Sequence, residues 1–90
     1  MVAVALTGSD QVVRASHTTY GGYTIRETAG AVATVRIYDN ASAASGTLLG
    51  TIALLANESR DVQYPAGVRA ANGVFVDVVA GTVEGSVWIA

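Results

Sequence analysis

The residues able to do acid–base or nucleophilic chemistry are few, and their spacing does not assemble them. The only histidine, His17, stands in Ser16-His17-Thr18-Thr19. A serine beside a histidine suggests nucleophilic catalysis, but neighbours on an extended strand point to opposite sides, and no strained nucleophile turn accompanies them. His17 therefore reads as a loop histidine. One histidine and no cysteine leave no multi-histidine or thiolate zinc set within one chain. A metal shared across subunits stays formally open. The carboxylates Asp10, Glu27, Asp39, Glu58, Asp61, Asp77 and Glu84 fall mostly at turns or outward strand positions. A hydrolytic carboxylate pair needs a cleft, which so small a domain rarely provides. There is no Asp-x-Asp-x-Asp-Gly calcium loop. Gly21-Gly22, Gly81 and Gly85 are too sparse for a phosphate cradle and precede no helix start. The expectation is a non-enzymatic chain with no catalytic, cofactor-binding or metal-binding residues.

Arg36 and Asp77 stand out because each sits mid-strand among apolar neighbours. An isolated buried charge is costly, so each needs a partner or a solvated face. If the strand of Ile37 lies beside the strand of Val76, the two charges can form an inter-strand or inter-subunit salt bridge. The alternative is that both lie on a solvated face. The aromatics Tyr20, Tyr23, Tyr38, Tyr64, Phe75 and Trp88 are the remaining candidates for recognition. A carbohydrate platform needs coplanar exposed rings, whereas core and interface packing is the commoner fate of such residues.

The elements that position these residues read as β-strands. Val2, Val4 and Leu6 share one face of a first strand, and Gln11–Ala15 forms a second. Gly21-Gly22 marks a flexible point before the alternating Tyr23–Thr28. Ala31–Asp39 is the longest clear strand, with Ala33, Val35 and Ile37 toward a core and Thr34, Arg36 and Tyr38 opposite. Residues 39–46 form a loop of small residues. The apolar run Thr47–Leu55 suggests burial on both faces, or one face in a contact. Ala56-Asn57 is a turn with Asn57 left-handed. In Glu58–Tyr64, Val62 and Tyr64 point inward, and Pro65-Ala66-Gly67 ends the strand for want of a ladder donor. Val68–Ala71 is a short edge piece, and Asn72-Gly73 a turn. The C-terminal run Gly73–Ala90 reads as two Val-rich strands joined by a hairpin connection at Ala80-Gly81-Thr82. Val74, Val76 and Val78 fill one side. Phe75 and Val79 load the other, where Asp77 interrupts them. The sum is an all-β single domain over residues 1–90, an antiparallel β-sandwich or jelly-roll-like barrel of about seven to nine short strands.

Composition narrows the partners. Charged residues make up 13% of the 90, about half the usual share. All five cations are arginine: Arg14, Arg26, Arg36, Arg60 and Arg69. They are scattered and the net charge is −2, so no nucleic-acid footprint is expected. No apolar run is long enough to span a membrane, and the apolar N-terminus lacks the basic region of a secretory signal. A small domain with so few charges has difficulty covering its outside with polar groups. Part of that outside is therefore expected to pack on copies of itself or on a partner. A Thr/Ser/Ala-surfaced domain of secreted type is the competing reading. Phe75, Trp88, Arg36 and Asp77 are the expected interface residues.

The strings Gly22–Gly30 (GYTIRETAG), Ala33–Asp39 (ATVRIYD), Gly46-Thr47-Leu48-Leu49 with Ile52-Ala53-Leu54 and Glu58-Ser59, and Gly73–Val76 with Val79–Val87 resemble small all-β virion proteins of tailed bacteriophages, especially phages of actinobacteria. The resemblance runs from about Gly22 to Ile89 and rests on strand and turn patterns. It implies a head-decoration, head-fibre or minor capsid protein, often a trimer or other homo-oligomer. It further implies contacts with the major capsid protein or another virion protein, and location in the virion after assembly in the host cytoplasm. It carries over no catalytic residues. The expected function is a capsid decoration or head-fibre protein that stabilises the shell. The alternative is a receptor- or carbohydrate-binding accessory module of the tail.

Overall fold

A computed structural model describes residues 1–90. The chain forms eight strands and no helix: β1 (Val2–Ala5), β2 (Gln11–Arg14), β3 (Thr18–Glu27), β4 (Ala33–Asp39), β5 (Thr47–Leu54), β6 (Ser59–Ala70), β7 (Val74–Ala80) and β8 (Val83–Ile89). Antiparallel ladders join β1 to β8, β2 to β7, β3 to β6 and β4 to β5. The chain is thus one long folded-back ribbon, with the β4–β5 hairpin at its tip. Two further ladders, β3–β8 and β4–β7, roll this ribbon into two sheets ordered β1-β8-β3-β6 and β2-β7-β4-β5. That is the strand order of a jelly roll, and it bears out the all-β sandwich expected from the sequence.

The core lies between the sheets and follows the alternation of each strand. β4 contributes Ala33, Val35 and Ile37, β3 Tyr20, Tyr23 and Ile25, β7 Val74 and Val76, and β8 Val83, Val87 and Ile89. Ile52 and Leu54 of β5 and Ala70 of β6 complete it. β-Branched side chains dominate because two sheets about 10 Å apart require compact, stiff groups on their facing surfaces.

Several expectations need correction. The C-terminal run is not a hairpin: β7 belongs to the second sheet and β8 to the first, so Gly81-Thr82 carries the chain from one sheet to the other at an end of the sandwich. Gly81 has φ +87°, and a Cβ there would lie 2.6 Å from that of Ala33. Gly21-Gly22 does not precede a strand but lies within β3, at a register shift against both β6 and β8. Gly22 has φ +124°, and any Cβ on it would collide with the carbonyl oxygen of Val62. Pro65 does not end its strand either. β6 runs on to Ala70 as the longest strand, at 12 residues. Tyr20 pairs with Val68 and Gly22 with Gln63, so Pro65 sits in a bulge of an edge strand where no ladder donor is required. β5 is buried on one face only; as the outer strand of its sheet it leaves Leu48 48% exposed. Val4 and Leu6 pack on the core, but Val2 is exposed.

Candidate interaction surface

Three of the four expected interface residues share the outer face of the second sheet. On β7, Val74 and Val76 enter the core, so Phe75 and Asp77 face away from it. Val12 pairs with Phe75, Phe75 with Tyr38, and Tyr38 with Leu48. Directly paired residues of antiparallel strands stand on the same side. Val12, Phe75, Tyr38 and Leu48 therefore form one apolar row across all four strands. Phe75 is only 8% exposed, while the row's ends, Val12 and Leu48, are 45% and 48% exposed. Phe75, expected at an interface, is already covered within the chain, and the freely accessible apolar area lies at the ends of the row.

The next row on this face is charged. Ile37 pairs with Val76, the adjacency on which the expected salt bridge depends, and Arg36 stands opposite Asp77. Thr51 follows Arg36 on β5. At the other end Asp10, just before β2, accepts a hydrogen bond from the backbone N–H of Val78 at 2.8 Å. This brings Asp10 beside Asp77. Desolvation first, then the charge of Asp10 and its hydrogen-bonding contact, push the Asp77 carboxyl above its ordinary range; Arg36 opposes this weakly. No Arg36–Asp77 ion pair forms within the chain. Its two ion pairs are Arg26–Glu84 at 3.1 Å and Arg60–Glu58 at 2.8 Å. The face thus carries a crowded acidic pair at one side and an arginine without an ion-pair partner at its centre.

Trp88 lies on the opposite surface, the outer face of the first sheet. It pairs with Ala3 and Gly22, small residues that leave the indole half-exposed. Its Nε1–H donates to Ser86 Oγ at 3.1 Å. Met1, Ala3, Gly21, Gln63, Tyr64, Pro65 and Trp88 line a shallow cleft of ≈ 350 Å³. Farther along the face Arg26 bonds Glu84, and the Thr24 hydroxyl donates to the Asp61 carboxylate. The tyrosines make no platform. Tyr20 and Tyr23 are core residues, and the Tyr20 and Tyr64 rings are tilted by 50° at 5.6 Å. Tyr38 stands on the other sheet.

The remaining carboxylates hold turns. Glu27, at the end of β3, is 1% exposed and accepts backbone N–H bonds from Ala29 (2.7 Å), Gly30 (2.8 Å), Ala31 (3.2 Å) and Asn57 (3.0 Å). It thereby locks the β3–β4 connection to the β5–β6 turn, where Asn57 has φ 60°. The bond from Asn57 and those from Ala29, Gly30 and Ala31 outweigh desolvation and hold its carboxyl below the ordinary range. Asp39 does the same work at the opposite end, accepting from Ala71, Asn72 and Gly73. The sequence reading placed these acids at turns without seeing that they organise them. A carboxylate directly before a run of small residues, as in Glu27-Thr28-Ala29-Gly30, was the available signal. His17 is exposed between β2 and β3, and no three His, Asp or Glu side chains converge as a metal-binding group.

Comparison of the chain with protein-family models, with curated proteins and with solved structures gives no match.

Proposed function

We propose that this chain is a non-enzymatic structural subunit of a phage particle, a decoration or head-fibre protein that joins copies of itself and an underlying shell through the outer faces of its sandwich. The observation that carries the contact-making part is the apolar row Val12–Phe75–Tyr38–Leu48, which crosses a whole sheet on the side away from the core. A sheet face that serves only to meet water alternates cleanly to polar residues; this one does not. The low charge content agrees, since it leaves few groups to solvate the outside. The virion assignment rests on the likeness of Gly22–Ile89 to small phage virion proteins. The jelly-roll order is compatible with it but is shared by lectin and cupin domains, so it adds no specificity. Such a subunit stabilises a shell by mass action, because it binds the assembled lattice better than free shell subunits.

The test is composition. Virions of the phage that encodes this chain, purified and analysed by mass spectrometry, are expected to contain it in stoichiometric ratio to the major shell protein. Its absence from purified particles would overturn the assignment. Coplanar exposed tyrosines would favour the tail-module alternative; the half-exposed Tyr38 and Tyr64 stand on different sheets, and the Trp88 cleft offers an aromatic ring on which a sugar could stack.

A further inference from the structure

The outer face of the second sheet carries its charges in an arrangement that is poor for an isolated subunit. Asp10 and Asp77 crowd each other at the β2–β7 side, and Asp77 is half-buried. Arg36, the cation paired in register with Asp77, is also half-buried and makes no ion pair. Like charges side by side cost stability, and a half-buried charge without a partner costs more. The apolar row beside them leaves Val12 and Leu48 in water.

We propose that this face pairs with the same face of a second copy about a two-fold axis, so that Arg36 of each chain meets the Asp10–Asp77 pair of the other while the two apolar rows close together. An isologous contact requires a self-complementary patch. This one has acid on β7 and base on β4 within a single row beside the apolar one, so a half-turn about an axis running between those two strands lays each Asp77 against the other chain's Arg36 and apolar row against apolar row. The size of the face limits the strength of the contact. Three strands of seven or eight residues and the four-residue β2 present at most roughly 20 by 23 Å, at the small end of specific interfaces, the range of weak and transient contacts. Avidity in a lattice would then supply the rest. A face-to-face pair makes an even-numbered assembly and not the trimer that the phage likeness suggests. The proposal rests on the reading of the chain as a contact-making structural subunit and names the surface and the ionic register of that contact.

Complementation between two variants tests it. Arg36→Asp and Asp77→Arg chains are prepared separately, and their fold is checked by circular dichroism and thermal unfolding. Alone, each places like charges across the axis and should self-associate roughly tenfold or more weakly than wild type in sedimentation. Mixed in equal amounts, they restore Arg–Asp contacts across the axis and should recover a hetero-pair. A charge pair confined to one chain cannot produce that recovery. If either variant unfolds, Arg36→Gln and Asp77→Asn replace them, and each should weaken self-association in the same direction. Wild-type self-association that survives these substitutions, or a mixture no tighter than its components, overturns the two-fold pairing while leaving the structural reading intact. A monomeric wild type overturns the pairing, and its absence from purified particles would separately overturn the structural reading.

Discussion

At the scale of single residues, the carboxylates divide into those that hold the fold and those that strain it. Glu27 belongs to the first kind. Its carboxyl is held below the ordinary range by backbone N–H donors, so the stability it supplies is present above the unfolded-state pKa and is lost as pH falls through the folded one. Glu27→Gln should therefore lower Tm at neutral pH and flatten the acid limb of a Tm-against-pH curve; an acid limb unchanged from wild type would mean that the cradle carries no linkage. Asp77 has the opposite sign. Its carboxyl is raised by desolvation and by Asp10, so its protonated form favours the folded state, and that contribution is lost as pH rises through the raised pKa. Asp77→Asn should stabilise the fold at neutral pH by less than about 1 kcal/mol, since solvent screens a half-exposed pair. The gain should vanish below the ordinary carboxylate range, where both states hold the proton. A variant that folds more stably but assembles less well would show why so uncomfortable a pair is worth keeping.

At the scale of elements, alternation was legible wherever a strand has one wet face. Ala33, Val35 and Ile37 of β4 and Val62 and Tyr64 of β6 fall where the period of two puts them. Ile37→Ala should cost about 2–5 kcal/mol by opening a cavity between the sheets. Val12→Ser, at the exposed end of the outer row, should change monomer stability by less than about 0.5 kcal/mol. Denaturant titrations of the two variants check both figures, and equal losses would mean that the outer row is core. Long-range pairing was what the pattern could not carry. β7 and β8 are separated by a turn that looks like a hairpin, but Gly81 has the same short, left-handed character whether the chain folds back in one sheet or crosses to the other. β6 was cut at Pro65 because its edge position, which makes proline harmless, is a property of the whole sheet. Gly22 reads in the sequence as a flexible point, whereas the backbone of β6 passes too close for any side chain there. Gly22→Ala should cost roughly 2 kcal/mol or more in the same titration.

At the scale of the whole molecule, composition indicated an outside short of charge, and the fold shows where that shortage lies. Arg36, Asp77 and Phe75 could be singled out from the sequence because they break or load a strand's pattern. Asp10 could not, because it reaches Asp77 only through the β2–β7 ladder, between residues far apart in the chain. Trp88 was expected among them but is carried to the other surface when β8 joins the first sheet. The central claim is that the outer face of the second sheet is a contact surface. Its most direct test is sedimentation of the wild-type chain beside Leu48→Glu, a change at a position 48% exposed that the monomer should tolerate. The wild type should sediment above its 9.1 kDa monomer mass at high concentration, and Leu48→Glu should remain at 9.1 kDa with an unchanged Tm. A wild type that stays at 9.1 kDa at every concentration, or a variant that assembles as the wild type does, would contradict the claim.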